Sequence, residues 1–230
     1  MYTRFAWGLR GFLRHTLTLE EAKAIVRKRM AERDENFLRL VRKGIFGYPK
    51  SPYLPLLKLA QCEMGDIENM VHDKGLEGTL MTLGEAGVYV TFEEFKGREP
   101  IVRNGKVTHI KDTDFNNPFL RHYYQSESGG STGAGTRVST DLDHLAAQSA
   151  NMMLTHDAHG ILGIPTAVWF GILPDSGGIN TILRCVHFGQ VPEKWFSPVL
   201  ARNFKPSLKN RLATHGMINM NRLWGVPIPQ

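Results

Sequence analysis

The segment Ser126-Glu127-Ser128-Gly129-Gly130-Ser131-Thr132-Gly133-Ala134-Gly135-Thr136 concentrates residue types that can hold an anion. Glycine lets backbone N–H groups approach an oxyanion with no Cβ in the way, and the hydroxyls of Ser128, Ser131 and Thr132 add side-chain donors that suit phosphate oxygens. A flexible linker has the same composition. A linker, however, is flanked by polar sequence. Here Tyr123-Tyr124 precede the cluster, and a strand pattern and a capped helix pattern follow it. The reading is a phosphate-binding loop held between ordered elements.

Two familiar nucleotide loops do not fit. A Walker A loop needs GxxxxGK[ST], and the window Gly130 to Thr136 has no lysine. The GxGxxG dinucleotide fingerprint is not met in a strand–turn–helix frame either. Other candidate groups read as structural. His156 and His159 share a helix end at i, i+3 without the Glu or Cys that zinc chemistry needs, so they and Asp157 are expected at a surface helix terminus. Asp141 and Asp143 suit capping and the helix dipole better than acid–base work. Cys62 and Cys185 lie far apart in no CxxC pair, which excludes a disulfide framework or zinc ribbon and points to two small buried side chains in a reducing compartment.

These groups must be positioned by elements the sequence also announces. Thr18 with Glu21 has capping-box spacing, and the apolar positions Leu19, Ala22, Ile25, Val26, Met30, Phe37, Leu38 and Val41 continue at helical period until Gly44. Arg27, Lys28, Arg29 and Arg33 then form the solvated face of that helix. Shorter helices are expected over 54–62, 66–72 and 76–83, and a strand over Val88-Tyr89-Val90-Thr91, followed by a solvated run Glu93, Glu94, Lys96, Arg98. Asn104-Gly105 between two β-type runs predicts a tight hairpin. Beyond it come strands over 123–126 and 136–138, and a helix opening at Thr140. The apolar run Ala167 to Leu173 predicts a buried strand in which Trp169 and Phe170 anchor the sheet. A helix from Gly177-Gly178 and another over 208–223 complete the pattern, with a strand beginning at Val226-Pro227-Ile228. Strands alternating with helices favour an α/β layer with parallel pairing.

Composition bounds the class. The chain has 230 residues, 42% hydrophobic and 22% charged, which excludes a wholly disordered or fibrous protein. No apolar run reaches the ~18–20 residues of a membrane span. Residues Met1 to His15 interleave charge and apolar residues as an amphipathic arm, not a signal peptide, so a cytoplasmic protein is expected. The net charge of +6 favours anionic partners, nucleotide phosphates among them. Nucleic acid is not expected, because no aromatic-interleaved basic motif is present.

The order Ser128-Gly129-Gly130-Ser131-Thr132-Gly133 resembles the (S/T)SG(S/T)TG phosphate loop of the adenylate-forming, AMP-binding enzymes. The closest likeness is to the phenylacetate–CoA ligase branch and the acyl-protein synthetases. A leading helical region, a helix after the loop over 140–156, and the run Trp169-Phe170-Gly171-Ile172-Leu173-Pro174 before Gly177-Gly178 match that branch in order, over roughly 115–230. The resemblance implies ATP-dependent activation of a small carboxylic acid with Mg²⁺, and CoA or an acyl-accepting protein as the final acceptor. It implies ATP phosphate contacts from Ser128, Gly129, Gly130, Ser131, Thr132, Gly133 and Thr136.

Three departures qualify the carry-over. Ala134-Gly135-Thr136 stand where the family places a lysine near the phosphates, Gly129 replaces a frequent serine, and residues 189–230 contain no Thr-Glu segment or late catalytic lysine. The expected fold is thus α/β: a helical N-terminal region with a β-hairpin over 1–112, then the first part of a layered adenylation domain over 113–230, with the chain reading as the N-terminal portion of an enzyme. The competing expectation is a non-catalytic basic α/β binding module, or a truncated fragment, that docks an anionic partner.

Overall fold

The computed structural model describes residues 2–120, 123–127, 137–171 and 175–197, together with 208, 212, 215, 216, 218 and 219. Helices α1 (Tyr2–Arg14) and α2 (Leu19–Ala31) open the chain. The chain forms two compact units, one of Lys28–Phe119 and one that joins Met1–Arg27 to Leu120–Gln230. Both mix helix and strand, so the coarse α/β description holds. Among the described residues the strands form three separate two-stranded sheets.

In the unit of Lys28–Phe119, the helical pattern expected as far as Gly44 is interrupted at Glu32. It resumes as α3 (Arg33–Leu40) and runs into a π-helical turn over Val41–Phe46. There follow α4 (Tyr53–Leu59), α5 (Met64–Glu85), a single turn α6 (Phe92–Phe95), β1 (Ile101–Arg103), β2 (Lys106–Thr108) and a 3-10 turn over Asp112–Phe115. The core is built from Val41, Leu57, Ile67, Val71 and Leu83. Full burial of one such aliphatic side chain contributes roughly 1.5–3 kcal/mol. The two helices expected over 66–72 and 76–83 are the halves of α5, parted at Gly75. There φ is 70° and ψ 179°, a combination that a residue with a Cβ adopts only under strain. β1 and β2 pair antiparallel around Asn104 and Gly105, both with positive φ as the hairpin signal requires.

One region departs from the sequence expectation. Residues 88–91 form no strand. Thr91 is instead a helix N-cap: its hydroxyl accepts from the Glu94 N–H at 3.2 Å, while the Glu94 carboxylate accepts from the Thr91 N–H at 2.7 Å. This reciprocal capping box outweighs the β propensity of Val88-Tyr89-Val90. Glu94, expected in a solvated run, is buried and paired with Arg103 at 2.7 and 3.1 Å. Arg103 also donates to the carbonyls of Gly87 and Tyr89, and its guanidinium carbon lies 3.9 Å from the Tyr89 ring centroid. The guanidinium holds the Glu94 carboxyl below its usual range, and that carboxylate in turn raises the arginine.

The other unit holds β3 (Tyr123–Glu127), β4 (Arg137–Asp141), α7 (Leu142–Ala158), β5 (Ala167–Trp169), α8 (Gly177–His187) and β6 (Lys194–Phe196). α1 belongs here because its buried Leu9 and Phe12 pack with Leu142, Leu145, Ile179 and Leu183. His187 reinforces this: its ring stacks on Phe12 at 4.3 Å, and its Nδ1 lies 3.1 Å from the Phe12 carbonyl. Burial pushes the His187 imidazole below its ordinary pKa. The unit boundaries therefore differ from the 1–112 and 113–230 division, because the amphipathic arm buries its apolar face on elements more than a hundred residues downstream.

Thr18 caps α2 as its spacing predicts, with the Glu21 carboxylate accepting from the Thr18 N–H at 2.8 Å. α7 is capped one residue later than expected, by Asp141, whose carboxylate accepts from the Asp143 N–H at 2.7 Å. β5 and β6 pair in parallel across α8, with Ala167 opposite Lys194. In β5, however, only Val168 is buried. Trp169 is 71% exposed, so it does not anchor a core there. The described residues between 208 and 219 are helical, and 226–228 lie outside the described residues. No helix among the described residues is long and apolar enough to cross a membrane.

Candidate functional site

Residues Ser128, Gly129, Gly130, Ser131, Thr132, Gly133 and Thr136 lie outside the described residues. The strands on either side of them are described. β3 and β4 pair antiparallel from Tyr123 opposite Asp141 to Glu127 opposite Arg137, so 128–136 connects two strands already in register. Such pairing fixes both ends of the connection. β4 then passes directly into α7, capped by Asp141.

Beside this junction is a cleft of about 360 Å³. β4 contributes Ser139 and Thr140, and the first turns of α7 contribute His144, Leu145 and Gln148. Phe170, just past β5, and Gly177, Asn180, Thr181 and Arg184 of α8 complete it. On each helix the spacing explains the juxtaposition: His144 and Gln148 are i, i+4, as are Asn180 and Arg184. The glycine pair at the start of α8 is a packing requirement. A Cβ at Gly178 would fall 2.6 Å from the Trp195 ring, and one at Gly177 would fall 2.8 Å from the Phe170 ring. The Asp175 carboxylate accepts from the Gly177 N–H at 2.8 Å, and Trp195 donates its indole N–H to the Phe170 carbonyl at 3.0 Å.

Arg184 lines this cleft, and among the described residues its hydrogen-bond partners are neutral. Nε donates to the Asn180 carbonyl at 3.2 Å, Nη1 to the Gln148 side-chain oxygen at 3.1 Å, and Nη2 to the Thr181 hydroxyl at 3.0 Å. Among the described residues no carboxylate forms an ion pair with it. A half-buried guanidinium held in one orientation by neutral acceptors favours an anion in the cleft.

The chain matches no family model, no curated protein and no solved structure.

Of the other residues weighed from the sequence, Phe170 lines the cleft, whereas Trp169 does not. His156 sits near the end of α7 with Nδ1 3.0 Å from the Gln190 side-chain oxygen and its ring edge-on to Phe188. Among the described residues, no three His, Cys, Asp or Glu side chains gather to hold a metal ion. Cys185 is buried and its thiol is pushed up to about 11, while Cys62 is half-buried. Arg184, Gln148, Asn180 and Thr181 were not singled out from the sequence. The available signal was a polar strip at 180, 181 and 184 in α8, whose other positions supply buried Ile179, Ile182, Leu183 and Val186.

Proposed function

We propose that this chain takes part in ATP-dependent activation of a small carboxylic acid by adenylation, in the manner of acyl- and aryl-CoA ligases. The observation that carries this reading is the run Ser128-Gly129-Gly130-Ser131-Thr132-Gly133 between two strands in register, followed without a break by a capped helix that lines a cleft of mixed polarity. In this reading the fold is the N-terminal part of a layered adenylation domain.

The chemistry asks the protein mainly for position and charge neutralisation. A carboxylate oxygen of the acid attacks the α-phosphorus of ATP. The bond from that phosphorus to the bridging oxygen breaks, and pyrophosphate leaves with the electron pair. The acyl group then passes to CoA or to a nucleophile on a protein, releasing AMP. Backbone N–H groups of 129–133 and the hydroxyls of Ser128, Ser131, Thr132 and Thr136 hold the β- and γ-phosphates. Mg²⁺, when bound, shields the charge of the leaving pyrophosphate. The donors in 128–136 are hydroxyls and amides with no carboxylate, which suits the phosphates themselves, so no metal ligand is assigned there.

Titration calorimetry of the full chain with MgATP tests the reading. Saturable binding is expected, and Gly133→Asp, which sets a carboxylate against the phosphates, abolishes it. MgATP binding that is absent, or unchanged in Gly133→Asp, overturns the proposal. Association with polyanions that falls steeply with salt and ignores ATP would instead favour the basic binding module.

A further inference from the structure

From the cleft we infer the class of acid it takes: a small carboxylic acid bearing a second anionic group, a short dicarboxylate being the simplest, with the second group received by Arg184. The inference rests on the adenylation reading for the identity of the other substrate, and on the cleft for everything else. Three observations lead to it. The cleft is small and about as polar as it is apolar, and among the described residues Leu145 and Phe170 are its large apolar side chains, which suits a compact acid better than a long acyl chain. Its arginine is oriented by three neutral acceptors, which spend one N–H on each guanidinium nitrogen and leave a hydrogen on each terminal nitrogen for a ligand. Among the described residues no carboxylate neutralises it. Left without an anion, a half-buried charge of this kind carries a desolvation cost that a bound carboxylate offsets.

The anion on Arg184 is not the reacting carboxylate. A guanidinium paired with the attacking oxygens would stabilise the ground state and draw off the electron density used in the attack. The contact would also be lost once that carboxylate became the uncharged acyl end of the mixed anhydride with AMP. A second, non-reacting carboxylate keeps its charge throughout, so a contact to it fixes the acid in one orientation before and after adenylation. Nor are the ATP phosphates the natural occupant, since the donors suited to them lie in 128–136. Arg184 is accordingly a binding and orienting residue.

Binding of matched pairs to the full chain tests this, with glutarate against valerate and adipate against hexanoate, each measured by calorimetry without ATP. The dicarboxylate of each pair is expected to bind about tenfold or more tightly, the scale of one charge-assisted contact. Arg184→Gln, with its circular dichroism spectrum unchanged, removes that preference, and Arg184→Lys keeps part of it. Equal binding within each pair, or a preference that survives Arg184→Gln, overturns the inference. So does a tenfold loss of MgATP affinity in Arg184→Gln without any dicarboxylate preference in the parent chain, which would give the guanidinium to the nucleotide. A dicarboxylate preference that depends on Arg184 in a chain that ignores MgATP would sustain the recognition of the acid and refute adenylation alone.

Discussion

Arg103 and Arg184 stand in different units and show two uses of the same side chain. Arg103 is surrounded by acceptors that consume its charge: both oxygens of the Glu94 carboxylate, the carbonyls of Gly87 and Tyr89, and the Tyr89 ring face. Nothing remains for a ligand, and the group ties the hairpin to the turn of α6. Arg184 is bound within α8 and by Gln148 of α7, among the described residues by neutral acceptors only, which fix its direction without cancelling its charge. Connectivity alone does not separate a structural arginine from one available to a ligand. The charge of the partners does.

The largest expected effect breaks or sustains that contrast directly. Arg103→Met strands a buried carboxylate and should cost about 3 kcal/mol, read as a lower urea midpoint, whereas Arg184→Gln should change stability by less than about 1 kcal/mol. Equal losses would make Arg184 structural too. The acid limb sharpens the test. Glu94 has its folded pKa depressed, so its contribution is present above the unfolded value of roughly 4.3 and is lost as pH falls through the folded value. Glu94→Gln should flatten that limb, and Arg184→Gln should leave it unchanged.

Next in size is a pair of glycines in α5 with opposite expected signs. Gly75→Ala meets open space, so only its positive φ resists the change, and a loss of about 1–3 kcal/mol is expected. Gly84→Ala lies in the helical part of the same element with nothing near its Cβ, and should stabilise by about 0.5–1 kcal/mol. Thermal melts of the two variants decide it, and a gain from Gly75→Ala would show that the break in α5 is unnecessary.

The smallest effect concerns the unit that contains Arg184. Thr18→Ala removes one capping oxygen from α2 and should cost about 1 kcal/mol, with Thr18→Ser restoring most of it. An alanine variant as stable as the parent would mean that the start of α2 is held by tertiary packing, not by its cap.

What was legible in the sequence was local. The Thr18–Glu21 box, the Asn104-Gly105 turn and the start of α8 at Gly177-Gly178 each depend on residues a few positions apart, and each forms as read. The strand expected over 88–91 failed because a second local rule, the Thr91–Glu94 box, competed with β propensity and won. The strand over 167–173 was apolar in composition, yet composition does not say which face is covered, and Trp169 stands exposed beside Phe196. The packing of α1 on α7 and α8 and the meeting of Gln148 with Arg184 depend on partners far along the chain, which no window of sequence contains. For 128–136 the sequence supplies the residue types, and the structure adds the register of the strands that bracket them.

The split composition of one unit, residues 1–27 with 120–230, bears on how the molecule is made. During synthesis the stretch 28–119 emerges with its whole core, Val41 through Leu83, and can fold as soon as it clears the ribosome. α1 emerges before that stretch, but the surfaces that bury Leu9 and Phe12 lie at 142–183 and are not yet built. An amphipathic helix must therefore wait exposed through more than a hundred further residues. That interval is where a chaperone would be needed most.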